Sequence, residues 1–221
     1  MRLLLVRHGE THLNIKRCFS GQLDDELTPT GELQAEVLAA HLANERLDAV
    51  ISSDLSRAYK TAEAISRRHN LIVQTDPRLR EISMGAWEGQ SVAEVEAREA
   101  DLMERWRADP LRHYPAGGES LHDLYMRIQL ALAYWKRRYQ AAEQESTLVW
   151  VTHGAFIGVM LCTLLGLPPD RRRHLHTDNA SLSEIQFFGL NQIPIIRRLN
   201  DTAHLRAHGL WKPSHGSLYL K

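Results

Sequence analysis

Short runs of apolar residues, separated by longer amphipathic stretches, dominate the pattern along the chain. Runs at residues 3–6, 48–52, 71–73 and 147–151 are apolar at most positions. Uninterrupted runs of this length are typical of strands buried on both faces of a parallel sheet. Two later runs, 181–188 and 193–199, predict a final pair of strands.

The stretch after the first run predicts a helix with a recognisable start. Thr28 has the preferences of an N-cap and Pro29 those of a first helical residue, so we expect a helix from there to about residue 45. Its expected buried residues are Leu33, Val37, Leu38 and Leu42. A second helix is expected from residue 56 to about residue 68.

Three more helices are predicted farther along the chain. Ser91 and Glu94 have the spacing of a capping box, and Ser120 and Asp123 have the spacing of another helix start. The helix after residue 120 carries an apolar stripe that indicates core packing, formed by Leu124, Ile128, Leu132 and Trp135. An apolar helix follows the run at 147–151 and ends near residue 165, with Gly166 as its stop.

Strands that alternate with helices predict an α/β protein with three α/β/α layers and a mostly parallel central sheet. A length of 221 residues suits a single domain, 1–221, that carries a small helical cap. We place that cap at about residues 85–118, where the last ten residues contain two prolines and two glycines and predict a loop. Substrate selection is expected to depend on the cap and on the tail after Asn200.

The composition argues against several classes of function for this protein. Lys plus Arg and Asp plus Glu balance at 27 each, so the chain lacks the basic excess of a nucleic-acid binder. Two cysteines, Cys18 and Cys162, cannot make a disulfide framework. The first apolar run is too short for a signal-peptide core, and no stretch is long and uncharged enough to cross a bilayer. We therefore expect a cytoplasmic protein that does not bind membranes.

Candidate chemistry collects at the ends of the predicted strands. His8, Arg57 and His153 each come just after a strand, and ligands of such sheets bind outside the carboxyl ends of the strands. Arginine forks match phosphate oxygens, so Arg7 and Arg57 indicate an anionic substrate. A neutral imidazole at His8 is a competent nucleophile near pH 7. Glu81, in a loop after the third strand, is the expected proton donor to the leaving oxygen.

Other phosphate chemistries do not match the sequence. No glycine-rich loop ends in Gly-Lys-Ser or Gly-Lys-Thr, and neither cysteine is followed by an arginine at the spacing of a cysteine phosphatase. Metal binding by His8 and His153 lacks a helix-spaced histidine partner or a carboxylate cluster. We therefore expect neither a metal nor another cofactor.

The motifs together resemble the histidine phosphatase superfamily, in its phosphoglycerate mutase-like branch. They lie in the expected order at residues 3–11, 14, 21–24, 27–31, 52–62, 81, 117–120 and 151–154. The resemblance implies that His8 is phosphorylated, that Glu81 donates the proton, and that the phosphate pocket is completed by Arg7, Arg57 and His153. It also implies substrate contacts for a further set of residues, namely Asn14, Ser20, Gly21 and Gly154. In the tail, His204 is a further candidate for a substrate contact, with a solvated side chain as the alternative.

Two other functions remain open at this stage. Mutases of this superfamily carry a Tyr and a Lys after the acidic residue, whereas the corresponding stretch here, residues 84–92, has neither. Hydrolysis of a small phosphorylated metabolite is therefore preferred to a cofactor-dependent phosphoglycerate mutase. A catalytically inactive binding protein is third, because the pocket histidines and arginines are all present.

The substrate candidates are phosphoserine, phosphoglycerates, sugar phosphates and α-ribazole phosphate. A homodimer is possible through the final strands. The arginine run 171–173, followed by His174, could attract acidic substrates, but a solvated face is the preferred interpretation.

Overall fold

Six strands form the centre of the molecule, and they belong to one sheet in the order β3-β2-β4-β1-β5-β6. The computed structural model describes residues 1–139, 145–188 and 193–213. The strands are β1 (Arg2–Arg7), β2 (Ala49–Ser52), β3 (Val73–Thr75), β4 (Thr147–Thr152), β5 (Leu182–Gln186) and β6 (Ile195–Asp201). The first four are parallel to one another, and β5 and β6 add to β1 in antiparallel fashion.

Helices cover both faces of this sheet, which confirms the predicted α/β architecture with a mostly parallel sheet. They are α1 (His12–Lys16), α2 (Pro29–Leu42), α3 (Ser56–His69), α4 (Val92–Arg98), α5 (Ala100–Ala108), α6 (Leu121–Tyr139), α7 (Gly154–Leu164) and α8 (Ala203–Ala207). Short 3-10 helices occupy Pro77–Leu79, Gly85–Trp87 and Pro169–His174. Among the described residues, no helix is long and apolar enough to cross a membrane.

Alternate residues of the central strands enter two separate cores. Leu3 and Leu5 pack into the core beneath α6 and α7, whereas Leu4 and Val6 pack into the core beneath α2 and α3. All four of these side chains are fully buried. The uniform apolarity of these strands therefore follows from burial on two faces.

The structure confirms several of the predicted helix starts. The Thr28 side chain caps α2 with Pro29 in the first turn, and Ser91 and Glu94 form a complete capping box at α4. Ser120 and Asp123 bond each other in the same reciprocal way, with the Ser120 N–H donating to the Asp123 carboxylate at 3.0 Å. These caps define where the chain enters each helix.

The structure also corrects three details. Leu33 is 55% exposed, because the buried face of α2 runs instead through smaller residues such as Gly31 and Ala35, with Leu38 and Leu42. The third strand is Val73–Thr75, two residues later than predicted, and Ile72 before it is 87% exposed. The tail after Asn200 contains α8, which sequence patterning did not predict, and the tail residues 214–221 lie outside the described residues.

Candidate active site

The predicted site residues meet at the carboxyl ends of three adjacent strands. His8 follows β1, His153 follows β4, and Arg57 lies in the first turn of α3 after β2. Because these strands are parallel neighbours, their ends share one edge of the sheet. The ring centroids of His8 and His153 are 5.1 Å apart.

The imidazole of His8 is fixed in one tautomer. Its Nδ1 lies 2.7 Å from the Gly9 carbonyl oxygen, and since a carbonyl only accepts hydrogen bonds, Nδ1 carries the hydrogen. Burial lowers the pKa of His8 well below its ordinary value, and the charges of Arg57 and Arg7 lower it further. The ring is therefore neutral near pH 7, with a lone pair on Nε2.

Arg57 is fully buried and clamps the loop that follows α1. Its two terminal nitrogens donate to the carbonyls of Leu23 and Gly21, each at 2.7 Å. The pKa of Arg57 is lowered by burial, but a guanidinium remains charged in a protein. The Nε of Arg57 has no hydrogen-bond partner among the described residues.

Arg7 lies beside the start of α7. Its Nη1 donates to the Thr177 carbonyl at 2.6 Å, which attaches β1 to the segment before β5. A Cβ built on Gly154 would lie 3.6 Å from Nε and Cζ of Arg7, so the guanidinium covers this glycine at ordinary contact distance.

His153 is oriented by a serine from the end of β2. Its Nε2 lies 2.9 Å from Ser53 Oγ, which also accepts the Leu55 N–H at 3.3 Å. Its buried Nδ1 has no hydrogen-bond partner within the described ranges. Burial lowers the pKa of His153 well below the ordinary value, followed by the effects of Arg57 and His8.

Glu81 reaches the N-terminus of α7 and is held there by backbone donors. Its Oε2 accepts the Ala155 N–H at 3.0 Å, and its Oε1 accepts the N–H groups of Phe156 and Ile82 at 3.1 and 2.9 Å. These bonds hold the carboxyl group at the N-terminus of α7 and fix its orientation in the cavity that Glu81 also lines.

Asn14, Ser20 and Gly21 line the same cavity. Asn14 Oδ1 accepts hydrogen bonds from the Thr11 N–H and from Asn179 Nδ2, which leaves the Asn14 amide nitrogen as the donor that these bonds do not use. Ser20 Oγ is buried and has no partner among the residues that the structure describes. Gly21 has a φ of +48° and contacts the Glu88 carboxylate too closely to admit a Cβ.

The cavity has a volume of about 140 Å³. Arg57 and Ser20 line this cavity, and His153 lies against the cavity-lining His8. The buried Arg57 Nε, His153 Nδ1 and Ser20 Oγ can each donate a hydrogen bond and have no partner among the described residues. Buried polar groups normally have partners, so several unpartnered ones beside one cavity indicate a ligand with acceptor oxygens. A tetrahedral oxyanion presents such oxygens in several directions.

Sequence reasoning placed one substrate contact wrongly. His204 does not line the cavity; its Nε2 lies 3.0 Å from the Ala180 carbonyl, and its ring stacks on His41 at 5.1 Å. The cause is α8, which packs this side chain against α2 and leaves it 5% exposed. His204 therefore contacts the main chain just before β5 and does not face the cavity.

The wall of the cavity also differs from expectation. Residues 85–118, predicted as the cap, contain α4 and α5, but none of them lines the cavity as described. The segment after α7 lines it instead, through Arg172, Arg173, Leu175, His176 and Thr177, and Arg172 is only 7% exposed. The prediction of a solvated arginine face at 171–173 is therefore wrong for Arg172 and Arg173.

Two supporting residues escaped the sequence analysis. Ser53 orients His153, and Asn179 donates to the carbonyls of His8 and Gly9 at 3.1 and 3.2 Å and to Asn14. Asn179 therefore contacts the same Gly9 oxygen that fixes the His8 tautomer. Asn179 comes just before the strand predicted at 181–188, and this position could have marked it as a candidate site residue.

Similarity to known proteins identifies the family of this chain. A family model described as the histidine phosphatase superfamily (branch 1) matches residues 3–202. The chain belongs to the histidine phosphatase superfamily. The resemblance drawn from the sequence motifs is thus confirmed over nearly the whole chain.

Members of the superfamily with different names are similar to this chain. Phosphoserine phosphatase 1 of Hydrogenobacter thermophilus is 36% identical over 93% of this chain and 94% of its own. A probable phosphoglycerate mutase, GpmB of Yersinia enterocolitica, is 35% identical over 93% and 95%. A mycobacterial glucosyl-3-phosphoglycerate phosphatase, solved with VO3, is 32% identical with a TM-score of 0.80 over 91% and 99%. By these comparisons the chain is an enzyme, a phosphoric monoester hydrolase of the histidine phosphatase type.

Proposed function

We propose that this histidine phosphatase hydrolyses small phosphomonoesters without a metal, through a phosphohistidine on Nε2 of His8. The observation that carries the proposal is a neutral histidine with its Nε2 lone pair available, in a cavity that Arg57 and Ser20 also line, with His153 beside it; each of these three residues has a buried donor without a partner among the described residues. Among the described residues, no group of three or more His, Cys, Asp or Glu side chains is arranged to hold a metal ion.

In the first half of the reaction, His8 Nε2 attacks phosphorus as the bond from phosphorus to the ester oxygen breaks. Arg7, Arg57 and the Nδ1–H of His153 hold the other phosphoryl oxygens while charge redistributes. Protonated Glu81 gives its proton to the departing oxygen, so the product leaves as an alcohol. His8 keeps its Nδ1–H on Gly9 throughout.

In the second half, water attacks the phosphohistidine. Glu81, now a carboxylate, takes a proton from that water as the oxygen–phosphorus bond forms and the nitrogen–phosphorus bond breaks. The electron pair of the broken bond returns to Nε2, inorganic phosphate leaves, and His8 is again neutral. The same carboxyl group thus serves as acid and then as base.

The substrate is proposed to be a small phosphorylated metabolite, bound in the cavity that His8, Arg7, Arg57 and Glu81 line. Phosphoserine, a phosphoglycerate, a sugar phosphate and α-ribazole phosphate are the candidates. The likeness to a named phosphoserine phosphatase and to a glucosyl-3-phosphoglycerate phosphatase supports this range.

The test is phosphate release from a panel of these esters with a chelator present, repeated on His8→Ala. We expect release by the wild type and no release by the variant, whose circular dichroism and unfolding midpoint should show a folded protein. No release by the wild type from any ester, including p-nitrophenyl phosphate, would support a binding role instead. Full activity of His8→Ala would remove the nucleophile assignment.

Phosphoglycerate mutase activity is the second candidate function, and one structural observation favours it. Arg172 and Arg173 line the cavity, so the absence of a lysine at 84–92 does not leave the site without additional cations. A mutase would interconvert 2- and 3-phosphoglycerate and would be stimulated by a bisphosphoglycerate. Phosphate release that outpaces interconversion under both conditions would establish the hydrolase.

A further inference from the structure

An asparagine behind the nucleophile connects two parts of the site, and the proposed mechanism assigns it no role. Asn179 lies in the segment before β5, is only 7% exposed, and is not among the described residues that line the cavity. Its Nδ2 donates to the carbonyl oxygens of His8 and Gly9 at 3.1 and 3.2 Å, and to Asn14 Oδ1 at 3.0 Å. The two hydrogens of this nitrogen are therefore shared among three acceptor oxygens.

The main chain fixes which end of the Asn179 amide faces the site. Carbonyl oxygens only accept hydrogen bonds, so the atom that faces His8 and Gly9 is the nitrogen. The His8 carbonyl is itself held in place, because it also accepts the Ala180 N–H at 3.1 Å. The Asn179 amide cannot turn over without placing its oxygen against two carbonyl oxygens, so it presents donors to this region.

The amide of Asn14 is fixed by the same reasoning. Its Oδ1 accepts the Thr11 N–H at 3.3 Å and Asn179 Nδ2 at 3.0 Å, and a main-chain N–H can only donate. These bonds use the amide oxygen and leave the amide nitrogen for another partner. Because Asn14 lines the cavity, its NH2 group is the end that can donate to a bound oxyanion.

We infer that Asn179 is a positioning residue, which turns the NH2 group of Asn14 toward the phosphoryl oxygens of the substrate. The inference rests on the proposed hydrolysis at His8 and adds a residue behind its phosphate pocket. Of the two donors to Asn14 Oδ1, Asn179 makes the shorter hydrogen bond. Without it, the Asn14 amide is free to rotate, and an amide oxygen that faces a phosphate repels it where the NH2 group attracts it.

The first test measures binding of orthovanadate, a tetrahedral oxyanion, by isothermal titration calorimetry. Asn179→Ala removes the donor, and Asn179→Asp keeps the shape of the side chain but replaces its NH2 group with an oxygen. We expect the affinity for vanadate to fall by about tenfold or more in both variants, as for one lost hydrogen bond to a charged group. kcat/KM for p-nitrophenyl phosphate should fall by at least the same factor.

The alanine variant should fold, because it leaves neither carbonyl without a donor. The His8 carbonyl keeps the Ala180 N–H, and the Gly9 carbonyl keeps the Nδ1–H of His8. The midpoint of urea unfolding checks this for each variant. Asn179→Asp gives a second measurement that does not depend on how the protein tolerates the smaller alanine side chain.

A double-mutant cycle determines whether Asn179 acts through Asn14. Asn14→Ala removes the NH2 group itself and should reduce the affinity for vanadate by about tenfold or more. In that background, Asn179→Ala should change the affinity little, because the group that it positions is already gone. Losses that multiply in the double variant would show that Asn179 acts independently of Asn14 and would overturn the inference.

Asn200→Gly is the matched control for a role that is merely structural. Asn200 holds the residue next to Asn179: its Oδ1 accepts the Asp178 N–H at 2.6 Å, and its Nδ2 donates to the Asp178 carboxylate at 3.1 Å. Glycine adopts the φ of +51° at this position without strain. Vanadate affinity and kcat/KM should equal those of the wild type. A loss equal to that of Asn179→Ala would show that any loosening of this segment suffices, and would overturn the positioning role.

The two proposals fail differently in these experiments. Failure of the proposed hydrolysis appears as vanadate binding by a wild type that releases no phosphate from any ester. Failure of the positioning role appears as normal hydrolysis by the wild type, together with a vanadate affinity that Asn179→Ala and Asn179→Asp both leave unchanged.

Discussion

At the scale of single residues, the chemistry of His8 depends on one carbonyl oxygen. Gly9 accepts the Nδ1 hydrogen at 2.7 Å, and Asn179 donates to the same oxygen at 3.2 Å. The main chain thereby leaves Nε2 as the nitrogen with a lone pair. Burial together with the charges of Arg57 and Arg7 keeps the pKa of the ring low, so protonation does not remove that lone pair near neutral pH.

Glu81 gives the residue-scale prediction. Glu81→Gln cannot donate a proton to the leaving oxygen, so kcat/KM for alkyl phosphates should fall by about a hundredfold or more. Aryl phosphates with acidic leaving groups need less protonation and should lose far less. The measurement is a series of phosphomonoesters of graded leaving-group pKa, in which the aryl esters also report that the variant is folded. An equal loss across the series would contradict the general-acid role.

At the scale of elements, strand ends supply the histidines and loops complete the pocket. Gly21 belongs to the loop after α1, whose carbonyl binds Arg57 at 2.7 Å. With a φ of +48°, its missing Cβ would lie 2.1 Å from Glu88 Oε1. That oxygen cannot move freely, because it accepts the N–H groups of Gln22 and Met84 at 2.9 Å.

Gly21→Ala should therefore destabilise the protein for two separate reasons. Backbone strain at positive φ costs about 1 kcal/mol, and displacing the Glu88 carboxylate should bring the total to about 2–3 kcal/mol, as urea unfolding can measure. Gly166→Ala is the control, since Gly166 has a φ of +67° with no atom within 4 Å of the added Cβ. Equal losses in the two variants would show that Glu88 moves without cost.

The elements also show what local sequence can reveal. Strand β4 was predicted almost to the residue because it is buried on both faces, and the rule for strand ends then brought His8 and His153 together. Edge strand β3 was misplaced because none of its three residues is fully buried, so apolar residues do not mark its bounds. Arg172 was misjudged because its burial depends on Gly158, a contact that no local pattern contains.

At the scale of the whole molecule, three buried histidines among the described residues link stability to pH. The pKa values of His8, His153 and His204 are lowered from 6.5 in the folded protein, chiefly by burial. Below the unfolded value, the unfolded chain binds protons that the folded protein does not, so the free energy of unfolding should fall as pH decreases. Each histidine contributes a slope of at most about 1.4 kcal/mol per pH unit.

His8→Asn should remove one such contribution between about pH 5.5 and 6.5, and urea unfolding across that range measures the slope. The matched control is His12→Asn at an exposed position on α1, which should keep the wild-type slope. A wild-type slope in His8→Asn would mean that His8 takes up its proton equally in the folded and unfolded chains.

The most direct test of the mechanism is to trap the covalent intermediate. A rapid quench into alkali during turnover, followed by peptide mass spectrometry under alkaline conditions, preserves a phosphohistidine that acid would hydrolyse. We expect a phosphate on the peptide that contains His8, formed within the first turnover and absent from His8→Ala. Turnover with no phosphorylated peptide, or with the phosphate on another residue, would contradict His8 as the nucleophile.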